Sequence, residues 1–305
     1  MKIMNKKIDV TGIGCAAWDL IGTVKNYPMP GDKSPMKNFE EHPGGQVATA
    51  ITAVSRLGGH AAIIEICGDD YYGDMIRKNL SHEGIDINYL IKDPGKTSLL
   101  SFCACIEDTG ERSIFFTGGT KRSLEPEDIP SDLIMSSKAI LMDNYHGSAS
   151  VYAASLAVKS AIPVVTDIER NKPCNDELFR KGTHHIVPAQ YLLEYTGEKD
   201  VESALKAMWN MYHSELIVAT MGDRGSIAWD GSDFVCQNAY TIENVADTTG
   251  AGDVFHGTFA FGLTLGYDVP ANLKFASLVA GLKCRNYGGQ KGIPYAGELK
   301  NLWKF

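Results

Sequence analysis

The run Asp247-Thr-Thr-Gly-Ala-Gly-Asp253 gathers small residues between two carboxylates, just ahead of a helical apolar pattern. Gly250, Ala251 and Gly252 let backbone N–H groups come close to an anion, and a helix N-terminus starting there adds positive dipole. Such a cradle suits a phosphoryl group in transfer. Asp253 stands at the helix start, where its carboxylate would accept the proton of an attacking hydroxyl as a general base. An isolated Gly-x-Gly-Asp is more often a simple turn with a helix-capping acid. The longer run, led in by Asp247 and Thr249, is much more specific.

Apolar β-rich runs alternate with helix-length amphipathic segments, which predicts an α/β domain with a mainly parallel central sheet. Residues 8–14 read as the first buried strand. Val47, Ala50, Ile51, Val54 and Leu57 fall at helical spacing and stop at Gly58-Gly59. Residues 61–67 then read as a strand and 72–80 as a helix, and short apolar runs at 139–142, 163–166 and 216–220 repeat the rhythm. Two stretches break it. Residues 18–39 are rich in Pro and Gly, while 99–106 and 112–116 flank a turn containing Gly110, the pattern of a hairpin. They predict a small β-lid, inserted at about 17–40 and 97–117 into a single domain spanning 1–305.

Composition removes several classes of function. Of 305 residues, 44% are hydrophobic and 22% charged, as in ordinary globular chains with one large core. Charged residues, Gly or Pro interrupt every apolar run before it reaches membrane-spanning length. The first nine residues lack the apolar stretch of a secretion signal, so a cytoplasmic protein is expected. A net charge of −8, from 29 basic and 37 acidic residues, argues against nucleic-acid binding. Seven cysteines without a CxxC pair read as reduced, mostly buried thiols.

Beyond this run, several ordered segments resemble the ribokinase/PfkB carbohydrate-kinase family, and the resemblance covers nearly the whole chain. The run 247–253 with its following helix is similar to the family's C-terminal signature. Gly12-Ile-Gly-Cys-Ala-Ala-Trp-Asp19 resembles the first strand with its sugar-contacting Asp, and Pro43-Gly44-Gly45 the di-glycine beside the sugar. Gly68-Asp69-Asp70 with Gly73 resembles a GxDxxG turn, and Thr220-Met-Gly-Asp-Arg-Gly225 the loop that packs along the nucleotide.

The resemblance implies a ribokinase-like three-layer α/β/α fold and transfer of the γ-phosphate of ATP to a hydroxyl of a small sugar. The sugar would be a ketose such as fructose or sulfofructose, ribose, or a 2-keto-3-deoxy sugar acid. By resemblance, Asp253 is the base and the amides of Gly250, Ala251 and Gly252 form the anion hole. Asp19, Gly44 and Gly45 would bind substrate hydroxyls, since a carboxylate accepts O–H bonds and glycine amides donate unobstructed. Thr220, Gly222 and Gly225 would line ATP together with the region from Lys283 to Gly289; for Asn286 within it a plain loop role is an equal alternative. Mg²⁺ would arrive on the phosphates of ATP. Asp247 and Thr249 match positions that in relatives help hold a monovalent cation, usually K⁺; an Asx-type turn bracing the loop is the even alternative. Pairing of two lids would make a homodimer.

Two departures from the family pattern bear on substrate. Thr49 stands where an Asn is usual, which shortens the donor, and the family's NxxE motif is missing near residues 188–191, so metal organisation must differ. Both, with the 284–294 tail, resemble the branch that includes sulfofructose kinases. A sulfonate needs fixed cations, for which the lid region offers Arg112 and Lys121-Arg122. Asp143 and His146 follow an apolar strand and are expected at the substrate edge of the sheet. His184-His185 and His256 read as packing residues rather than metal ligands. Two other functions remain open: a nucleoside kinase, with an aromatic slot from Trp18, Phe102 or Phe116, and a non-catalytic sugar or nucleotide sensor.

Overall fold

The computed structural model describes residues 8–108 and 112–304. The strands are β1 (Ile8–Ile13), β2 (Ala17–Val24), β3 (Met36–Gly44), β4 (Ala61–Gly68), β5 (Leu90–Asp93), β6 (Leu100–Ile106), β7 (Arg112–Thr117), β8 (Ser137–Asp143), β9 (Val164–Asp167), β10 (His184–Pro188), β11 (Leu216–Thr220), β12 (Ser226–Trp229) and β13 (Phe234–Gln237). The helices are α1 (Gln46–Arg56), α2 (Tyr71–His82), α3 (Ser131–Ser136), α4 (Gly147–Lys159), α5 (Asn175–Lys181), α6 (Ala189–Thr196), α7 (Val201–Tyr212), α8 (Ala251–Thr264) and α9 (Val269–Lys283).

A strand covered by helices on both faces must be apolar throughout, and the central runs have that composition. They form one sheet in the order β13-β12-β11-β10-β9-β8-β1-β4-β5. Strands β5, β4, β1, β8, β9, β10 and β11 run parallel, and the hairpin β12–β13 adds two antiparallel strands at one edge. Successive side chains of β8 point to opposite faces. Ala139 and Leu141 pack with Ile51 of α1, Phe259 of α8 and Phe275 of α9. Ile140 and Met142 pack with Ala153 of α4 and Leu205 of α7. The result is the three-layer α/β/α arrangement expected. Phe259 and Phe275, both without exposed surface, each contribute about 1.5–3 kcal/mol of burial.

His184 and His185 lie within β10, where burial pushes them down to about 4 and about 3. They are neutral packing residues, as expected.

A second sheet, β3-β2-β6-β7, is built from the two segments that broke the sequence rhythm. β2 pairs antiparallel with β3 and parallel with β6, which pairs antiparallel with β7. The Gly110 turn of the β6–β7 hairpin and the side chain of Arg112, expected to meet substrate, lie outside the described residues. β3 leads through Gly44 and the cap Gly45 into α1, which joins the second sheet to the helices of the central domain. Among the described residues no helix is long and apolar enough to cross a membrane.

Candidate active site

Pairing of β2 with β3 sets Ala17 opposite Gly44 and Asp19 opposite His42. Asp19 is half-buried, and Ser101 Oγ donates to its Oδ1 at 2.5 Å. Burial raises its carboxyl above the ordinary carboxylate value despite that bond. Gly45 caps α1 at φ 90°, and a Cβ there would stand 2.6 Å from the Cys15 carbonyl oxygen, so only glycine fits. Thr49, one turn into α1, is 1% exposed, and its Oγ1 would lie 3.4 Å from a Cβ at Gly289. Asp19, Gly44, Gly45 and Thr49 are thus brought to one corner, where the 288–289 loop also arrives.

Gly250 caps α8 in the left-handed conformation, φ 77°. A Cβ there would meet the Gly289 carbonyl at 2.8 Å, so the tail loop packs directly against the cradle. The Ala251 amide donates to the Thr248 carbonyl at 3.1 Å. This corrects the expectation that it joins the anion hole: it closes the turn instead. Gly252 is exposed, with nothing within 4 Å of where a Cβ would be, and offers the open surface of the cradle.

Asp253 follows in the first turn of α8. Burial pushes its carboxyl well above the usual range, and the neighbouring charge of Asp167 pushes the same way. Asp167, at the carboxyl end of β9, is a site residue that sequence reading missed. It is 4% exposed, and among the described residues its Oδ2 has no hydrogen-bond partner. His256 fastens this arrangement: Nδ1 lies 2.7 Å from the Gly252 carbonyl, and Nε2 lies 3.0 Å from the Ile186 carbonyl and 3.4 Å from Asp167 Oδ1. An acid at a parallel strand's carboxyl end was the available signal for Asp167.

On the other side of Gly252 lies a cavity of about 510 Å³. Thr220, Gly222 and Gly225 line it together with Ala251, Gly252, Phe255, Ser277 and Gly281. Small and apolar walls of this kind suit a flat heteroaromatic ring. Gly281 has no room for a side chain, since a Cβ would come within 2.7 Å of the Tyr240 carbonyl. Asn286 does not line the cavity; it is exposed in the turn after α9, which supports its plain loop alternative.

Asp143 and His146 do not face the substrate edge. Asp143 has no exposed surface, and its carboxylate accepts the amides of Cys15 at 2.8 Å and Tyr145 at 2.7 Å. A Cβ at Gly14 would stand 2.4 Å from Asp143 Cγ, so the missing side chain lets the carboxylate drop onto the β1–β2 connection. His146 accepts the Leu124 amide at Nδ1 and faces Glu65 Oε1 through Nε2 at 2.8 Å. The same Glu65 oxygen pairs with Lys121 at 2.9 Å, both side chains at most 1% exposed, and Arg122 grips Asp128. Lys121 is therefore committed inside the protein, while Arg122 is tied to Asp128 at the surface. Trp18 is likewise buried, its Nε1 donating to Glu41 at 2.9 Å, which removes it as an aromatic slot.

Asp247 Oδ1 accepts both the Thr249 amide at 2.8 Å and its hydroxyl at 2.7 Å, an Asx-type turn. At the absent NxxE motif the chain places Ala189 and Leu192, which pack inward.

The family model described as pfkB family carbohydrate kinase matches residues 6–296. A ribokinase from Bacillus subtilis strain 168 is 28% identical over 294 residues, covering 95% of this chain and 97% of that protein. A nucleoside kinase from Methanothermobacter thermautotrophicus is 26% identical over 310 residues, covering 97% and 95%. The ribokinase of Arabidopsis thaliana, solved with ribose and ATP, superposes with a TM-score of 0.86 over 98% of this chain and 99% of that one, at 21% identity.

Proposed function

The chain belongs to the pfkB family of carbohydrate kinases, and from that premise we propose that it moves the γ-phosphate of ATP onto a hydroxyl of a small sugar, with Asp253 as the base. It is an ATP-dependent phosphotransferase of the carbohydrate and nucleoside kinase class. The observation that carries the assignment of roles is the position of Asp253. It sits beside Gly252, which opens to the nucleotide-sized cavity, and within electrostatic reach of Asp19 on the sugar side.

Asp253 takes the hydroxyl proton as the substrate oxygen forms its bond to the γ-phosphorus, and the bond to ADP breaks. The Gly252 amide and the α8 dipole hold the charge that spreads over the transferring group. Mg²⁺ on the ATP phosphates would neutralise part of that charge. Among the described residues no group of three or more His, Cys, Asp or Glu could hold a metal, so an ion carried in on ATP suits the donor set.

The sugar reading is supported over a nucleoside by the corner itself: Asp19 and two glycines favour hydroxyl-rich ligands, and Trp18 is buried. Phe116, 60% exposed on the lid, keeps the nucleoside reading in view. Among anionic sugars, a sulfonate or carboxylate would find Arg170, whose guanidinium lies 5.6 Å over the Phe116 ring. A homodimer joined through the lids is supported by edge strands β3 and β7, which expose Met36, Phe39, Ile114 and Phe115. The test is ADP release from ATP and Mg²⁺ over a panel of free sugars, sugar acids and nucleosides. Phosphorylation of nucleosides alone would reverse the ranking, and thermal stabilisation by sugar without ADP release would mark a sensor.

A further inference from the structure

Lys283 ends α9 without exposed surface. A charge that far inside the protein needs polar partners. Its Nζ donates to the Asp247 backbone carbonyl at 3.0 Å. The C-terminal end of a helix favours a cation in any case.

The surrounding oxygens are equally engaged. Asp247 Oδ1 accepts the Thr249 amide and hydroxyl, Oδ2 accepts the Gly288 amide at 2.8 Å, and the Cys284 carbonyl accepts the amides of Ala246 and Asp247. An alkali ion requires several oxygens that can turn their lone pairs on it. Here the oxygens of Asp247 face N–H groups, an O–H group and an ammonium. This donor set does not fit K⁺; it fits the lysine, which brings the same single charge on a head of similar size. Burial alone would raise the Asp247 carboxyl, yet the Thr249 bonds and the Lys283 charge hold it below its ordinary value.

We propose that the Lys283 ammonium is the built-in monovalent cation of the phosphate cradle, so that turnover needs no potassium. Lys283 is a positioning residue: it clamps the carbonyl of Asp247, six residues before the base. The loop it leads into carries Gly289, which packs on Gly250. The inference rests on the kinase reading above, and one arm of its test does not depend on turnover.

Activity of the parent protein is measured in choline chloride and in potassium chloride at equal ionic strength, alongside Lys283→Ala and Lys283→Met. The parent's kcat should change by less than about twofold between the salts, whereas Lys283→Ala should lose roughly tenfold or more in choline and regain most of it in potassium. Merely structural damage would not be repaired by K⁺ in preference to choline. In the second arm, potassium should raise the melting temperature of Lys283→Ala and leave the parent's unchanged. Activation of the parent by roughly tenfold in potassium, or a potassium-dependent rise in its melting temperature, overturns the proposal. The parent measurements decide even if both variants fail to fold. A parent inactive on every substrate removes the kinase reading, while the melting arm still decides the place of Lys283.

Discussion

The Asp19 carboxylate occupies the space a side chain at residue 44 would need: a Cβ on Gly44 would lie 2.0 Å from Asp19 Oδ2. Gly44→Ala therefore pushes Asp19 off its position, at a stability cost of about 1–3 kcal/mol for overpacking. The expected kinetic result is a rise in KM for the sugar of roughly tenfold or more with KM for ATP nearly unchanged. Steady-state kinetics with each substrate varied in turn checks it, and an equal rise for both substrates contradicts a substrate role for Asp19.

Asp253 carries a stability penalty that its neutral analogue lacks. Its folded carboxyl is raised well above the ordinary value, first by burial. The folded state thus binds the proton more tightly than the unfolded chain. The stability from this group is fully present below the unfolded value, about 4, and is lost as pH rises through the raised folded value. Asp253→Asn should therefore melt higher than the parent at pH 8, with the difference shrinking towards zero near pH 4. Melting curves across that range are the check.

The same shift bears on the proposed catalysis, because Asp253 as the base would work only when deprotonated. The acid limb of kcat/KM should fall at a pH above the ordinary carboxylate range. A limb near pH 4, as for an exposed carboxylate, would place the base elsewhere.

Ala280 lines the cavity beside Gly281. Ala280→Leu should fill part of the space proposed for the nucleotide and raise KM for ATP by roughly tenfold while sparing the sugar's KM. Calorimetric titration with ADP gives an independent measure.

The lid edges supply a prediction about assembly. Ile114→Lys combined with Phe115→Lys places two charges on the exposed edge strand β7. Light scattering should show a dimer for the parent and a monomer for the double variant. A parent that is monomeric at micromolar concentration removes the lid-paired dimer.

The glycine turn and the acid at the start of α8 were legible because they are local features, read within seven residues of each other. The strands were legible because burial on both faces demands unbroken apolar runs. Asp167 was not, since its importance depends on β9 lying beside β10 and beneath the first turn of α8. Asp143 looked substrate-facing from its place at a strand end, but strand position does not tell which way a carboxylate turns. That is set by Gly14, whose missing side chain makes room for it. Lys121 and Arg122 read as free cations because their acidic partners, Glu65 and Asp128, meet them only after folding. Lys283 was read only as part of a stretch along the nucleotide, because its burial depends on the following loop folding over it.

The most direct test compares the parent with Asp253→Asn, after circular dichroism shows both folded, in an ADP-release assay with ATP, Mg²⁺ and the sugar panel. The account predicts sugar-dependent ADP release by the parent and a loss of roughly 10²–10⁴-fold in kcat for Asp253→Asn. An Asn variant as active as the parent would contradict it.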